Sequence, residues 1–151
     1  MRIKAKDPRL VSLMGEFMRT YLPGVRNRDD DTIDSYRYSI NLFVAYLESE
    51  HKVTVLTMQS SDFSQKNIVG FMAWLKSERK NVATTINHRL SDLRGFCKYL
   101  YKKNALSLDE YEAIREINDV DDDRVIDFTW LSTNDVCLVL KSTDSNREAI
   151  R

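Results

Sequence analysis

The chain has 151 residues, no formal net charge, 42% hydrophobic and 30% charged residues, enough for one folded domain or one domain with a fragment of another, and too apolar to stay disordered. Four Gly and two Pro are too few for a many-turned sandwich or barrel, which favours helices. No apolar run approaches the roughly 20 residues of a membrane span, and Met1-Arg2-Ile3-Lys4 lacks the apolar core of a secretory signal.

Residues 8–22 read as a first helix: Leu10, Leu13, Met14, Phe17, Met18 and Tyr21 recur at helical spacing, Pro8 fits the first turn and Pro23-Gly24 ends it. A charged loop, 24–31, follows. Asp29, Asp30 and Asp31 precede a second helix of about 30–50, with Ile33, Ile40, Phe43, Val44 and Leu47 as its apolar stripe; acids at that end favour the helix dipole and can cap it. Residues 53–63 form a connector, extended in part through Val53-Thr54-Val55-Leu56. Ser64 caps a third helix, about 65–79, built on Ile68, Phe71, Met72 and Leu75. A fourth, about 84–103, carries Ile86, Leu90, Leu93, Cys97 and Leu100, and a short fifth spans about 108–117. Residues 119–131 break the periodicity as an acidic linker. Ser132 or Thr133 caps a last helix with Val136, Leu138, Val139 and Leu140. Cys97 and Cys137 lie within apolar patterns and read as reduced core residues, which suits a cytoplasmic protein.

The zero net charge hides signed blocks. Residues 1–28 carry 7 Lys/Arg against 2 Asp/Glu, 29–64 carry 2 against 7, 65–107 carry 9 against 2, and 108–151 carry 5 against 12. Within a Debye length of about 8–10 Å a local positive face still attracts phosphate, unless the blocks pair with one another inside the fold.

Familiar chemistry is missing from the pattern. Asp119, Asp121 and Asp123 alternate as in a calcium loop, but Arg124 stands where such a loop needs Gly and Trp130 where it needs Glu. Two His and two Cys are scattered, without zinc spacing. No Gly-rich phosphate loop and no recognisable nucleophile setting occurs. His51, at a helix end, reads as a dipole contact. The residues give no reason to expect a metal, a cofactor or catalysis by this chain alone.

Two stretches echo each other: Thr32-Ile33-Asp34-Ser35-Tyr36-Arg37 and Thr85-Ile86-Asn87-His88-Arg89-Leu90. Each opens a helix with a hydroxyl, places Arg four or five positions further in, and leads to an aromatic before a Tyr-Leu pair (Phe43 to Tyr46-Leu47, Phe96 to Tyr99-Leu100). Free N–H groups and the positive dipole end at a helix entrance suit phosphate. On the fourth helix Asn87, His88, Ser91, Arg94, Lys98 and Lys102 share a polar face. Asn and Arg suit bidentate contacts to adenine and guanine, Lys and Thr suit phosphates, and Gly95 on that side would admit a close backbone. Asp92 intrudes on the face.

These fragments, with Asp62-Phe63-Ser64, Ile68-x-Gly70-Phe71-x-x-Trp74-Leu75 and Leu93-Arg94-x-Phe96-x-x-Tyr99-Leu100, stand in an order that resembles the N-terminal core-binding, SAM-like domain of tyrosine recombinases (phage-type integrases), closest to those of transposon-type bacterial mobile elements, over roughly residues 10–104. The resemblance implies an all-α, four- to five-helix bundle over residues 1–118, a linker over 119–131, and the first helix of a truncated catalytic domain over 132–151. It implies that the second and fourth helices lie against the major groove of double-stranded DNA at a recombination core site. Thr32, Ser35 and Arg37 would meet phosphates at one entrance; Thr85, His88 and Arg89 would meet phosphates or base edges at the other, with Asn87, Arg94 and Lys98 along the helix. Tyr36, Phe43, Phe71, Trp74, Phe96 and Tyr99 read as core. The family's catalytic residues fall beyond Arg151, so no tyrosine here is assigned as nucleophile. Other protomers on DNA are expected partners, with exposed Leu or Met of residues 8–22 as a candidate contact. The alternative is a helical protein–protein adaptor that exposes apolar patches and does not bind DNA.

Overall fold

A computed structural model describes residues 4–121. The expected linker beyond Asp121 and the expected start of a catalytic domain lie outside the described residues, as does Cys137.

Five helices and no strand make up the described chain: α1 (Pro8–Glu16), which continues as a π-helical stretch (Phe17–Val25), α2 (Asp30–His51), α3 (Gln65–Ser77), α4 (Ala83–Lys102) and α5 (Leu108–Arg115), with a short 3-10 turn at Ser60–Asp62. Local chemistry sets the starts. Asp7 caps α1 by accepting from the Leu10 N–H at 3.1 Å, Asp29 caps α2 from Thr32 at 2.8 Å, Ser64 caps α3 from Asn67 at 3.2 Å and Ser107 caps α5 from Glu110 at 3.2 Å. Lys52, in the left-handed region at φ 57°, ends α2.

Two expectations need correction. Pro23-Gly24 does not end the first helix. The chain widens into i→i−5 pairing, and the Arg26 N–H reaches past Pro23 to the Tyr21 carbonyl at 2.9 Å. Pro23 thus withholds one donor without closing the element. Residues 53–56 run into a turn instead of a strand. The N–H groups of Thr57 and Met58 both reach the Thr54 carbonyl (3.0 and 2.8 Å), the Thr57 Oγ1 accepts from the Thr54 N–H at 2.8 Å, and a turn results. The burial of Met58 and Phe63 pins the connector to the bundle.

The core runs through two joined aromatic groups. Phe17 packs on Tyr36, Phe96 and Tyr99; Phe43 packs on Phe63 and Phe71; Phe63 meets Phe96 at a centroid distance of 5.2 Å and links the groups. Leu47, Ile68, Leu75, Leu90, Leu93 and Leu100 are buried in the same core. Of the aromatics expected in the core, Phe43, Phe71, Phe96 and Tyr99 are buried, while Tyr36 and Trp74 are half-buried at its edge. On the first helix Leu10 and Leu13 are buried and Met14 and Met18 half-buried; the exposed apolar side chains there are Val11 and Val25. Cys97 is a buried free thiol whose pKa burial pushes well up, consistent with a packing role. No helix among the described residues is long and apolar enough to cross a membrane.

The placement of α2 and α4 matters most for function. They pack on each other, α2 also meets the π-helical stretch and α3, and α4 also meets α3 and α5.

Candidate nucleic-acid interface

The α2–α4 seam is held by a buried acid. Asp92, only 6% exposed, accepts from the Ser39 hydroxyl at 2.5 Å and from the Ser35 hydroxyl at 2.9 Å. Ser39 is fully buried and accepts in turn from an Arg89 Nη1–H at 3.1 Å. The same Nη1 lies 3.9 Å from the Asp92 carboxylate, and the guanidinium covers the Tyr38 ring at 4.6 Å. His88 sits at the outer rim, with Nε2 2.8 Å from the Ser35 hydroxyl and 4.0 Å from Asp92. A buried carboxylate needs such partners, because desolvation without them is costly. The intruding acid of α4 is therefore the clamp between the two helices.

This arrangement redistributes the expected contact residues. The Arg89 side chain is only 16% exposed and belongs to the clamp, not to a free face. Ser35 is half-buried and shares the clamp; His88, with 58% of its side chain exposed, projects from it. Arg37 is exposed and pairs with Asp34 at 3.3 Å, a surface pair of little strength. Lys98 is exposed, and Thr85 is half-buried in the first turn of α4.

Asn87 and Arg94 are engaged within the protein. Both grip the chain that follows α5. Asn87 makes a reciprocal pair with the Val120 backbone (2.7 and 2.9 Å), and Arg94 donates to the Ile117 carbonyl and lies 3.5 Å from Asp119. Their bidentate capacity is met by the protein's own backbone. Gly95 also departs from expectation: its Cα faces the Tyr36 hydroxyl, and a Cβ would lie 2.8 Å from Oη, so the glycine admits a tyrosine of the same protein.

The two echoed entrances are not equivalent. At α2 the Thr32 N–H donates to Asp29, and the Thr32 hydroxyl and N–H beside that carboxyl hold its pKa below the ordinary range. Asp30 and Asp31 follow in the first turn, so the position that could greet a phosphate holds the protein's own carboxylate. At α4 the capping position is Val82, extended and 65% exposed, with no side-chain cap and no acid in the first turn. Exposed Lys80 and Thr84 flank it. By charge and by free N–H groups, the α4 entrance is the one suited to an anion.

Sequence reasoning missed Ser39 and read Asp92 as a surface acid. The available signal was position: Asp92 adjoins Leu93 and falls between Leu90 and Phe96 on the buried side of the helix, where an unpaired charge would not be tolerated. Among the described residues no group of three or more His, Cys, Asp and Glu gathers as metal ligands would.

Comparison with known proteins follows the same outline. The family model described as phage integrase, N-terminal SAM-like domain, matches residues 16–104. The chain is 32% identical over 98 residues to the tyrosine recombinase XerC of Treponema denticola, covering 65% of this chain and 30% of that protein. It is 30% identical over 104 residues to the XerC of Syntrophus aciditrophicus (68% and 33%) and 29% identical over 84 residues to the tyrosine recombinase XerD of Oceanobacillus iheyensis (56% and 27%). It thus spans about a third or less of the length of these relatives. No solved structure matches. The all-helical bundle and the match over residues 16–104 show that this chain belongs to the tyrosine recombinase (phage integrase) family and carries its N-terminal SAM-like domain.

Proposed function

We propose that this domain binds double-stranded DNA through the joined outer edges of α2 and α4, as the core-site-binding part of a site-specific tyrosine recombinase. In that role it positions duplex DNA for strand breakage and rejoining by a catalytic domain, in company with other protomers on the same DNA. The observation that carries the reading is the contrast between the two entrances. The α4 start is uncapped, free of acids and flanked by Lys80, Thr84 and Thr85, and its face continues through His88 to Lys98. The duplex would follow that line and meet Ser35 and Arg37 in the second turn of α2. It would keep off the first helical turn of α2, where exposed Asp30, Asp31 and Asp34 repel phosphate. Thr32 then serves the cap. Arg89 acts by holding Ser39 and Tyr38 in place, and Asn87 and Arg94 act by fixing where residues 117–121 leave the bundle.

The adaptor reading gains less support. The exposed large apolar side chains, such as Val11, Tyr38, Val69, Val82 and Leu108, fall one or two to an element, and scattered apolar residues are ordinary on a protein surface. Backbone amide spectra of the labelled chain, titrated with duplex DNA at low salt, test the proposal. Perturbations should cluster at residues 35–38 and 80–98 and recede on adding salt. An unchanged spectrum, or perturbations confined to α3 and α5, would refute it.

A further inference from the structure

Away from the α4 entrance, a small concavity of about 50 Å³ opens where the π-helical stretch, α2 and α4 meet, lined by Tyr21, Arg26, Arg28, Tyr36, Gly95 and Lys98 among others. It is far below the size of a nucleotide or drug-like site and has room for one small group. Three cations come from two separate parts of the chain. Arg26 and Arg28 sit on the loop after the π-helical stretch and Lys98 on α4; all three are exposed, and none forms a salt bridge among the described residues. Asp29 offsets part of the Arg28 charge, but like charges lining one concavity raise one another's energy, so an anion there is favoured.

The backbone fixes the loop. The Arg26 N–H donates to the Tyr21 carbonyl at 2.9 Å, the Arg28 N–H to the Leu22 carbonyl at 2.8 Å, and Asn27 between them is left-handed at φ 49°. The floor holds a neutral donor. Half-burial of Tyr36, with the Asp92 charge adding to it, pushes its phenol up against the opposing pull of Arg28 and Arg26, so the hydroxyl keeps its proton. Gly95 leaves that hydroxyl its place. Of the nearby acids, Asp92 accepts from Ser35 and Ser39 and Asp29 caps α2 beside Arg28, while Asp30 and Asp31 follow, exposed, in the first turn of α2.

We infer that Arg26, Arg28, Lys98 and the Tyr36 hydroxyl form a grip for one or two backbone phosphates of duplex DNA, extending the interface from α4 to the loop that precedes α2. The grip rests on the DNA-binding reading above and adds to it residues 26 and 28, which belong to neither echoed helix. Phosphate contacts of this kind set register without reading sequence.

The test is the salt dependence of binding of the full chain to a mixed-sequence duplex, read by fluorescence anisotropy. R26Q/R28Q should make the slope of log affinity against log salt shallower by about 1 to 2, since each phosphate contact contributes about 0.9. Y36F should weaken binding several-fold with the slope unchanged, because a neutral donor releases no counter-ion. The charge-matched double variant K52Q/K66Q should keep the wild-type slope. An R26Q/R28Q slope equal to wild type would overturn the grip while leaving DNA binding through α4 intact. Equal flattening in both double variants would overturn it too, by reducing the effect to net charge. Absence of DNA binding by the wild-type chain at low salt would overturn the underlying reading and the grip with it.

Discussion

Replacing Asp92 with Ala tests whether one buried carboxylate clamps α2 to α4. The variant loses two hydrogen bonds to a charged acceptor, from Ser39 at 2.5 Å and Ser35 at 2.9 Å. Such bonds contribute about 1.5–3 kcal/mol each. The lower figure applies, because Ser35 keeps His88 and Ser39 keeps Arg89. The Arg89 guanidinium, largely buried, also loses its counter-ion, and breaking a buried pair costs about 3–5 kcal/mol. The Tyr38 ring still covers that cation, which offsets part of the loss. We therefore expect a destabilisation of at least about 3 kcal/mol, or a fall in Tm of roughly 12 °C or more at about 4 °C per kcal/mol for a domain of this size. Asp92→Asn keeps the shape and one acceptor and should lose about half as much. Urea unfolding followed by circular dichroism measures both. An Asp92→Ala stability within about 0.5 kcal/mol of wild type, the range of an ordinary surface substitution, would refute the clamp.

The remaining predictions concern packing and pH. Gly70→Ala should destabilise by about 1–3 kcal/mol, as overpacking does; the added Cβ meets the hydroxyl of buried Tyr46, which is tied to His51 at 3.1 Å, and an unchanged urea midpoint would show that Tyr46 moves freely. For Asp7, burial raises the pKa, but hydrogen bonds from the Ser60 and Leu10 N–H groups and the Ser60 hydroxyl outweigh it and hold the carboxyl below its ordinary 3.8. Its contribution is thus complete above about pH 3.8 and is lost as pH falls through the lower folded value. Asp7→Asn should flatten the acid limb of stability against pH, and a limb of wild-type steepness would rule Asp7 out as its source.

Local rules made most of the bundle legible. Apolar residues at helical spacing placed the helices, Asp29 and Ser64 marked two starts, and Phe43, Phe71, Phe96 and Tyr99 fell in the core as their stripes required. What escaped depends on partners far along the chain. Nothing in α4 alone tells that Asn87 grips Val120 or that Asp92 meets Ser39 across 53 positions. The turn at residues 54–57 overrode the β-branched composition of Val53-Thr54-Val55, because Thr57 and Met58 found a carbonyl nearby and Met58 a place in the core. The π-helical passage over Pro23 broke a rule that assumes i→i−4 pairing. The candidate site was legible as a face but not residue by residue. The same side chains that suit DNA also suit contacts within the protein: Arg89 serves the helix clamp, and Asn87 and Arg94 hold the chain after α5. Loss of DNA binding in Arg89→Ala would accordingly mix a stability defect with any lost contact, so His88 and Lys98 are the cleaner probes of the face.

The central claim is that this domain binds duplex DNA by its charged face. Affinity for a duplex carrying the recombination core site, measured across a salt series, tests it most directly. With three or four phosphates engaged, log affinity should fall linearly with log salt, at a slope of about −3 to −4. Binding insensitive to salt, or no binding at the lowest salt, would contradict the account.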